Sequence, residues 1–297
     1  MQENTRLGHI AAIFTIAVWA TTFISTKVLL LSFRPVEILI IRFVMGFLAL
    51  YLVAPQRLRG LSFAQEKYFI AAGLTGVCLY FLFENIALTY TSASNAAVIV
   101  SCAPFTTAIL SQVFNRTENG LRPQFFLGFI LAVIGISLII FNGAEFHLNP
   151  TGDLLAVGAG IVWSCYALLT RRISSFGYPI IPTTRHIFFY GILFMLPAWF
   201  YFDCRLDLTR LADTVNLANM LFLGLGASAA CFATWNYSVS LLGPVKTSIY
   251  IYMIPVLAVI TAAIVLDEKI TALSALGTAL TLAGLVLSEW GLKDKTA

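Results

Sequence analysis

The segment VWATTFISTK at residues 18–27 returns 144 positions later as VWSCYALLTR at 162–171. Asn85 and Pro104 find counterparts in Asn236 and Pro255 at an offset of 151, and LGFILAVIGISL (127–138) is echoed by LGTALTLAGLVL (276–287) at 149. Nearly constant offsets, with Trp, Asn, Pro and Gly recurring in one order, indicate a chain built twice from one plan.

What separates these landmarks is almost entirely apolar. The 297 residues are 59% hydrophobic and 11% charged, with a mean hydropathy of +0.89. A soluble domain carries about 25% charge, and packing this composition in water would leave large apolar patches exposed. About 20 apolar residues cross a hydrocarbon core of about 30 Å. Ten stretches meet that length: 8–31, 35–54, 67–89, 94–114, 123–142, 151–171, 183–202, 217–241, 246–266 and 271–291. The expected fold is therefore all-α and integral to a membrane, with ten transmembrane helices in two repeats, residues 1–145 and 146–297. Five crossings per repeat is an odd number, so the second repeat enters the bilayer inverted. Inverted repeats are a recurrent plan of secondary transporters, with substrate held between the halves near the midplane.

Basic residues set orientation. With the N-terminus inside, 11 Lys and Arg fall in cytoplasmic segments and 5 in outer ones. Both termini are expected in the cytoplasm, and the chain in the inner (plasma) membrane as a multi-pass protein. The net charge of +4 is scattered over short loops. That excludes a nucleic-acid footprint and leaves the lipid bilayer and a small-molecule substrate as partners. The five cysteines form no CxxC pair and lie mostly in apolar runs, so neither a disulfide framework nor a metal site is expected. The first apolar run is too long for the core of a cleavable signal.

The chain resembles the EamA domain of the drug/metabolite transporter superfamily. The likeness rests on VWATTFISTK, IRF (41–43), ALTYTSASNAAVI (87–99), the AP pair at 103–104 and LGFILAVIG. It recurs in VWSCYALLTR, LLGPVKTSIYIYMIPV (241–256), LDEKIT (266–271) and LGTALTLAG. The resemblance implies a ten-helix carrier of amino acids, other metabolites, nucleotide sugars or drugs. Small dimeric relatives couple to protons through a carboxylate in the first helix. Residues 8–31 here hold no Asp or Glu, so that scheme does not carry over.

One acid does sit inside a predicted span. Glu84, beside Asn85, lies five residues from the outer end of the third helix, about 7–8 Å deep at ~1.5 Å per residue. Arg42, on the second helix, falls at similar depth. An ionised group in hydrocarbon costs about 2.5–3.5 kcal/mol on insertion scales and usually faces a cavity or a partner. Two readings follow. Arg42 and Glu84 form an outer gate or a site for substrate head groups, or they form a permanent ion pair. If Arg42 swings away during the cycle, Glu84 becomes a candidate for proton coupling. Arg185 and His186 open the seventh helix as the inner counterpart of this layer.

Pro104 and Pro255 interrupt the fourth and ninth helices, each removing a backbone donor and freeing a carbonyl one turn earlier, at Val100 and Ile251. Matched interruptions in the two halves point to the binding region. Trp19, Trp163, Tyr166, Trp235, Tyr250 and Tyr252 are candidate cavity liners, with core packing as the alternative for each. Aromatic faces hold cationic or ring-bearing groups. Asn85 and Asn236 add amides, and Asn95 follows a short loop at a helix N-terminus, where free amides favour anions.

These features describe a secondary carrier working by alternating access. No Walker-type phosphate loop is present, and no cofactor is expected. A membrane-embedded enzyme lacks an HExxH, a GxSxG or a His/Asp cluster. A channel lacks rings of like charge. An acid, an arginine, amides and aromatics suit a zwitterion such as an amino acid. Nucleotide sugars, nucleosides and drugs remain alternatives.

Overall fold

The computed structural model describes residues 2–90, 96, 99–101, 103–114, 122–140, 149–205, 207–254, 256–257 and 271–290. Asn95 and Pro255 lie outside the described residues, as do residues 258–266 of the ninth expected span.

Helices account for nearly all of the structure, and their ends are set by local chemistry. Helix α1 (Gln2–Trp19) and α2 (Thr22–Leu29) form one crossing with a break between them. Pro35 opens α3 (Pro35–Val53), where Glu37 closes a capping box by accepting from the Arg34 amide at 2.9 Å. A Ser62/Gln65 capping box opens α4 (Phe63–Ala72), which runs through a π-helical stretch, Gly73–Leu79, into α5 (Tyr80–Tyr90). Next come α6 (Ala103–Phe114) and α7 (Pro123–Ile140).

In the second repeat, Asn149 caps α8 (Pro150–Ser174) by accepting from the Gly152 amide at 3.2 Å. Helix α9 spans Ile180–Tyr201. Asp213 caps α10 (Thr214–Leu221), which passes through a second π-helical stretch, Phe222–Ala230, into α11 (Cys231–Leu242). Gly243, at φ +86°, makes the reversal that only glycine adopts readily, and Pro244 starts α12 (Pro244–Ile249). A 3₁₀ turn at Tyr250–Tyr252 follows, and α13 (Ala272–Trp290) closes the described chain.

Six of these helices or helix runs, among the described residues, are long and apolar enough to cross a membrane: Asn4–Leu29, Pro35–Val53, Phe63–Tyr90, Pro150–Ser174, Ile180–Tyr201 and Thr214–Leu242. Ala103–Phe114, Pro123–Leu138 and Ala275–Ser288 are shorter apolar helices. Large apolar side chains such as Ile10, Phe14, Leu48, Leu52 and Leu193 face outward, as lipid contact requires.

The helices of the two repeats interleave. Helix α1 packs on α11 and α5 on α8, while α3 packs on α9 and α7 on α13. The π stretch of each repeat also packs on the opposite repeat, Gly73–Leu79 on α9 and Phe222–Ala230 on α3. Exchanging the repeats maps this set of pairs onto itself. Helices α7 and α13 approach so closely that a Cβ on Gly128 would stand 2.4 Å from the Ser288 backbone, the close contact that small residues permit.

The apolar run over 8–31 predicts one transmembrane helix. Instead the helix turns at Ala20 and Thr21, where the Thr21 and Thr22 hydroxyls donate to the carbonyls of Val18 and Trp19 at 2.8 Å. Such back-bonding competes with the helical ladder and bends it. Neither π stretch was anticipated. π turns leave the regular i to i−4 ladder and recur at functional sites.

Candidate functional site

The helix irregularities converge. A narrow cavity is lined by Trp19 and Thr22 at the α1/α2 break, by Tyr80, Phe81 and Glu84 just past the first π stretch, and by Arg42, Val100, Trp163, Ile251 and Ile254. The centre of a water molecule can sit in only about 30 Å³ of it. One water needs about 10–15 Å³ on that measure, so the site has room for only about two or three waters.

Arg42 is 1% exposed and Glu84 8%. Both line the same cavity, yet no nitrogen of one comes within 4.0 Å of an oxygen of the other. Arg42 Nε instead donates to Ser228 Oγ at 2.9 Å, and its guanidinium carbon lies 4.6 Å from the Phe81 ring centroid and 5.2 Å from that of Phe43. Its second terminal nitrogen, Nη2, is buried without a hydrogen-bond partner. Glu84 Oε1 accepts from the Tyr80 hydroxyl at 3.2 Å. The two side chains thus form no direct ion pair in this structure. Each charge has its own neutral partner.

Sequence explains these positions. Tyr80 and Glu84 are four apart on α5, so they share a face. Ser228 belongs to the second π stretch, a run of small residues (GLGASAA, 224–230) that admits the arginine. The neighbouring Ala227 carbonyl accepts from Trp19 Nε1 at 3.0 Å.

A cluster of indoles forms the cavity wall and the layer behind it. Trp19 lies 5.2 Å from Trp163 and 5.2 Å from Trp235, and Trp163 lies 5.4 Å from Trp235. Tyr80 closes on Trp163 at 4.8 Å. The indole nitrogens of Trp163 and Trp235 are buried without partners.

Other residues singled out from sequence lie elsewhere. Asn236 accepts from the Tyr166 hydroxyl at 2.7 Å and donates to Thr184 Oγ1 at 3.0 Å, so its amide and Tyr166 are engaged in the core behind the cavity. Asn85 donates to the Pro35 carbonyl at 3.4 Å, and its Oδ1 is buried without a partner. Tyr250 bonds His9 through its hydroxyl, while Tyr252 is fully buried. None of these, nor Trp235, lines the central cavity. Pro104 is buried at the start of α6, and Val100, one turn before it, lines the cavity. Ile251, four residues before Pro255 in sequence, lines it from the 3₁₀ turn. Arg185 and His186 stand apart from it, where α3 ends and α9 begins. Arg185 donates to the carbonyls of Ala54 and Gln56, and His186 Nε2 pairs with Glu66 Oε1 at 2.7 Å.

Tyr80, Thr22, Phe81 and Ser228 were missed in the sequence. The position of Tyr80 one turn from the single acid of its span is the signal that points to it. Ser228 carries none.

The arrangement places an arginine and a carboxyl group, not in direct contact, in a narrow aromatic space. Among the described residues, no group of three or more His, Cys, Asp or Glu comes together.

Comparison with known proteins agrees with this architecture. The chain matches the EamA-like transporter family twice, over residues 6–141 and 150–290. It is 26% identical over 285 residues to an uncharacterized transporter of Archaeoglobus fulgidus, covering 94% of this chain and 96% of that protein. It is 24% identical over 307 residues to a probable amino-acid metabolite efflux pump of Escherichia coli, covering 99% and 98%. A solved crystal structure superposes with a TM-score of 0.73 at 19% identity, covering 98% of both chains, which supports the fold. With both repeats matched and nearly the full length covered, the chain belongs to the EamA-like transporter family and is a multi-pass protein embedded in a membrane.

Proposed function

We propose that this protein is a secondary-active carrier of amino acids or related zwitterionic metabolites, moved by alternating access between two inverted five-helix repeats, residues 1–145 and 146–297. In this reading ten helices cross the plasma membrane and both termini are cytoplasmic. Arg42 receives the substrate carboxylate and Glu84 the ammonium. Trp19, Trp163, Tyr80 and Phe81 pack against the side chain. Val100 and Ile251 form the floor where the helices break.

The observation that carries the proposal is that Arg42 and Glu84 share one narrow cavity without a direct contact between them. A buried charge needs compensation. Arg42 has one serine and two aromatic faces, with a terminal nitrogen left over. Glu84 has one tyrosine. A zwitterion supplies what both lack. The Escherichia coli relative is described as a probable amino-acid metabolite efflux pump, and this supports the same class. The small free volume fits an occluded conformation that must open to load.

The test separates the two charges of the ligand. A thermal-shift series on purified protein compares an amino acid with its decarboxylated amine and its deaminated acid. The proposal expects stabilisation by the zwitterion alone. Equal stabilisation by the amine would contradict a role for Arg42, and equal stabilisation by the acid a role for Glu84.

A further inference from the structure

A second cavity opens where α3 ends and α9 begins. It offers about 470 Å³ to the centres of water-sized groups and is lined by Phe47, Tyr51, Arg57, Leu58, Arg185 and Phe189, among others. It is thus far roomier than the central cavity, and its position at helix ends places it at the edge of the apolar bundle.

Its two arginines have no carboxylate partner among the described residues. Arg185 is 8% exposed, and its two terminal nitrogens donate to the carbonyls of Ala54 and Gln56. Its guanidinium carbon lies 5.2 Å from the Tyr51 ring centroid. A guanidinium has five N–H donors, so donors remain for a ligand. The same two bonds pin the chain that leaves α3, and this chain carries Arg57 to the cavity rim. Arg57 is exposed and has no partner among the described residues. The carboxylate beside the cavity, Glu66, is already engaged, since one oxygen bonds both His186 and the Tyr190 hydroxyl.

The walls are of a different character. Phe47, Leu58 and Phe189 are apolar, and Tyr51 and Phe189 are exposed on the outward surface of their helices. That surface continues through Leu48, Leu52 and Leu193, which face the lipid. A soluble anion needs only the cations. A basic pocket that opens sideways onto a lipid-facing apolar surface fits a head group together with its chain.

We propose that this cavity binds the phosphate head group of an anionic membrane lipid. Arg57 and Arg185 hold the phosphate, through the planar donor fork that suits phosphate oxygens. Phe47 and Phe189 pack against the acyl chain. The lipid bridges the end of α3 and the start of α9, two helices from opposite repeats that pack on each other.

The test uses purified full-length protein in detergent, with melting temperature and native mass spectrometry as readouts. Phosphatidylglycerol, phosphatidylcholine and inorganic phosphate are added separately. Phosphatidylglycerol is expected to raise the melting temperature and to persist as a bound adduct, while the other two do neither. Arg57→Gln, at an exposed loop position, is expected to weaken phosphatidylglycerol binding about fivefold, the loss of one interfacial arginine. Arg59→Gln, two residues along and outside the lining, is expected to bind as the wild type does. Equal stabilisation by phosphatidylcholine, or unchanged phosphatidylglycerol binding in Arg57→Gln, would overturn the proposal. Stabilisation by inorganic phosphate as strong as by phosphatidylglycerol would also overturn it, in favour of a soluble anion.

Discussion

Arg42 and Glu84 face one cavity from neighbouring helices, but each is held by a neutral residue, Ser228 at 2.9 Å and Tyr80 at 3.2 Å. This geometry gives each charge its own support. A structural ion pair would collapse when either member is neutralised. Two independently supported charges do not.

Glu84→Gln is therefore expected to fold with near-normal yield and melting temperature while losing substrate affinity. A hydrogen bond to a charged group is worth about 1.5–3 kcal/mol, which corresponds to roughly a 10- to 100-fold loss in binding. Binding titrations and thermal melts on one preparation check both halves. A sharp fall in melting temperature would point back to a structural pair.

Ser228→Ala removes the neutral partner of Arg42. Leaving a buried donor unsatisfied costs about 1–3 kcal/mol, so a lower melting temperature is expected. Combining it with Arg42→Met should recover most of the stability, because the guanidinium that needs Ser228 is then gone, while transport is lost. Failure of the double variant to recover stability would show that Ser228 matters for packing and not for Arg42.

Gly76 sits in the first π stretch against Tyr166, where an added Cβ would meet the tyrosine ring at 2.1 Å. Gly76→Ala is expected to destabilise the protein by about 1–3 kcal/mol through overpacking. A second change, Tyr166→Leu, should relieve part of this in a thermal melt. No mutual rescue would mean that the clash is absorbed elsewhere.

At the opposite end from the N-terminus, Glu37 accepts from Arg210 at 2.9 Å and from the Arg205 amide at 3.2 Å, and Arg210 also bonds the Ser32 carbonyl. These contacts fasten the connection after α9 onto the start of α3. Glu37→Gln should loosen it and speed limited proteolysis within residues 203–213. An unchanged cleavage rate would show that the remaining contacts suffice.

Much of this was legible in sequence, for identifiable reasons. Runs of about 20 apolar residues report membrane helices because the bilayer fixes their length. The repeat is visible because Trp, Asn, Pro and Gly do work that few other residues can replace. Glu84 stands out because a carboxylate is expensive in hydrocarbon. Other features left little trace. The π stretches arise from tertiary packing, where Gly76 admits Tyr166, and local pattern does not encode such a partner. The core position of Asn236 depends on Tyr166 and Thr184, each more than 50 residues away. The break at Ala20 and Thr21 was in principle readable from the adjacent threonines, whose hydroxyls compete for helix carbonyls.

If a zwitterion is carried between Arg42 and Glu84, counterflow in proteoliposomes detects its exchange. Vesicles preloaded with an unlabelled amino acid, chosen from the thermal-shift series, are diluted into a trace of the labelled compound. The predicted result is a transient accumulation of label with wild-type protein that vanishes with Glu84→Gln and with Arg42→Gln. Label uptake indifferent to the preloaded compound, or full counterflow in the two variants, would contradict the account.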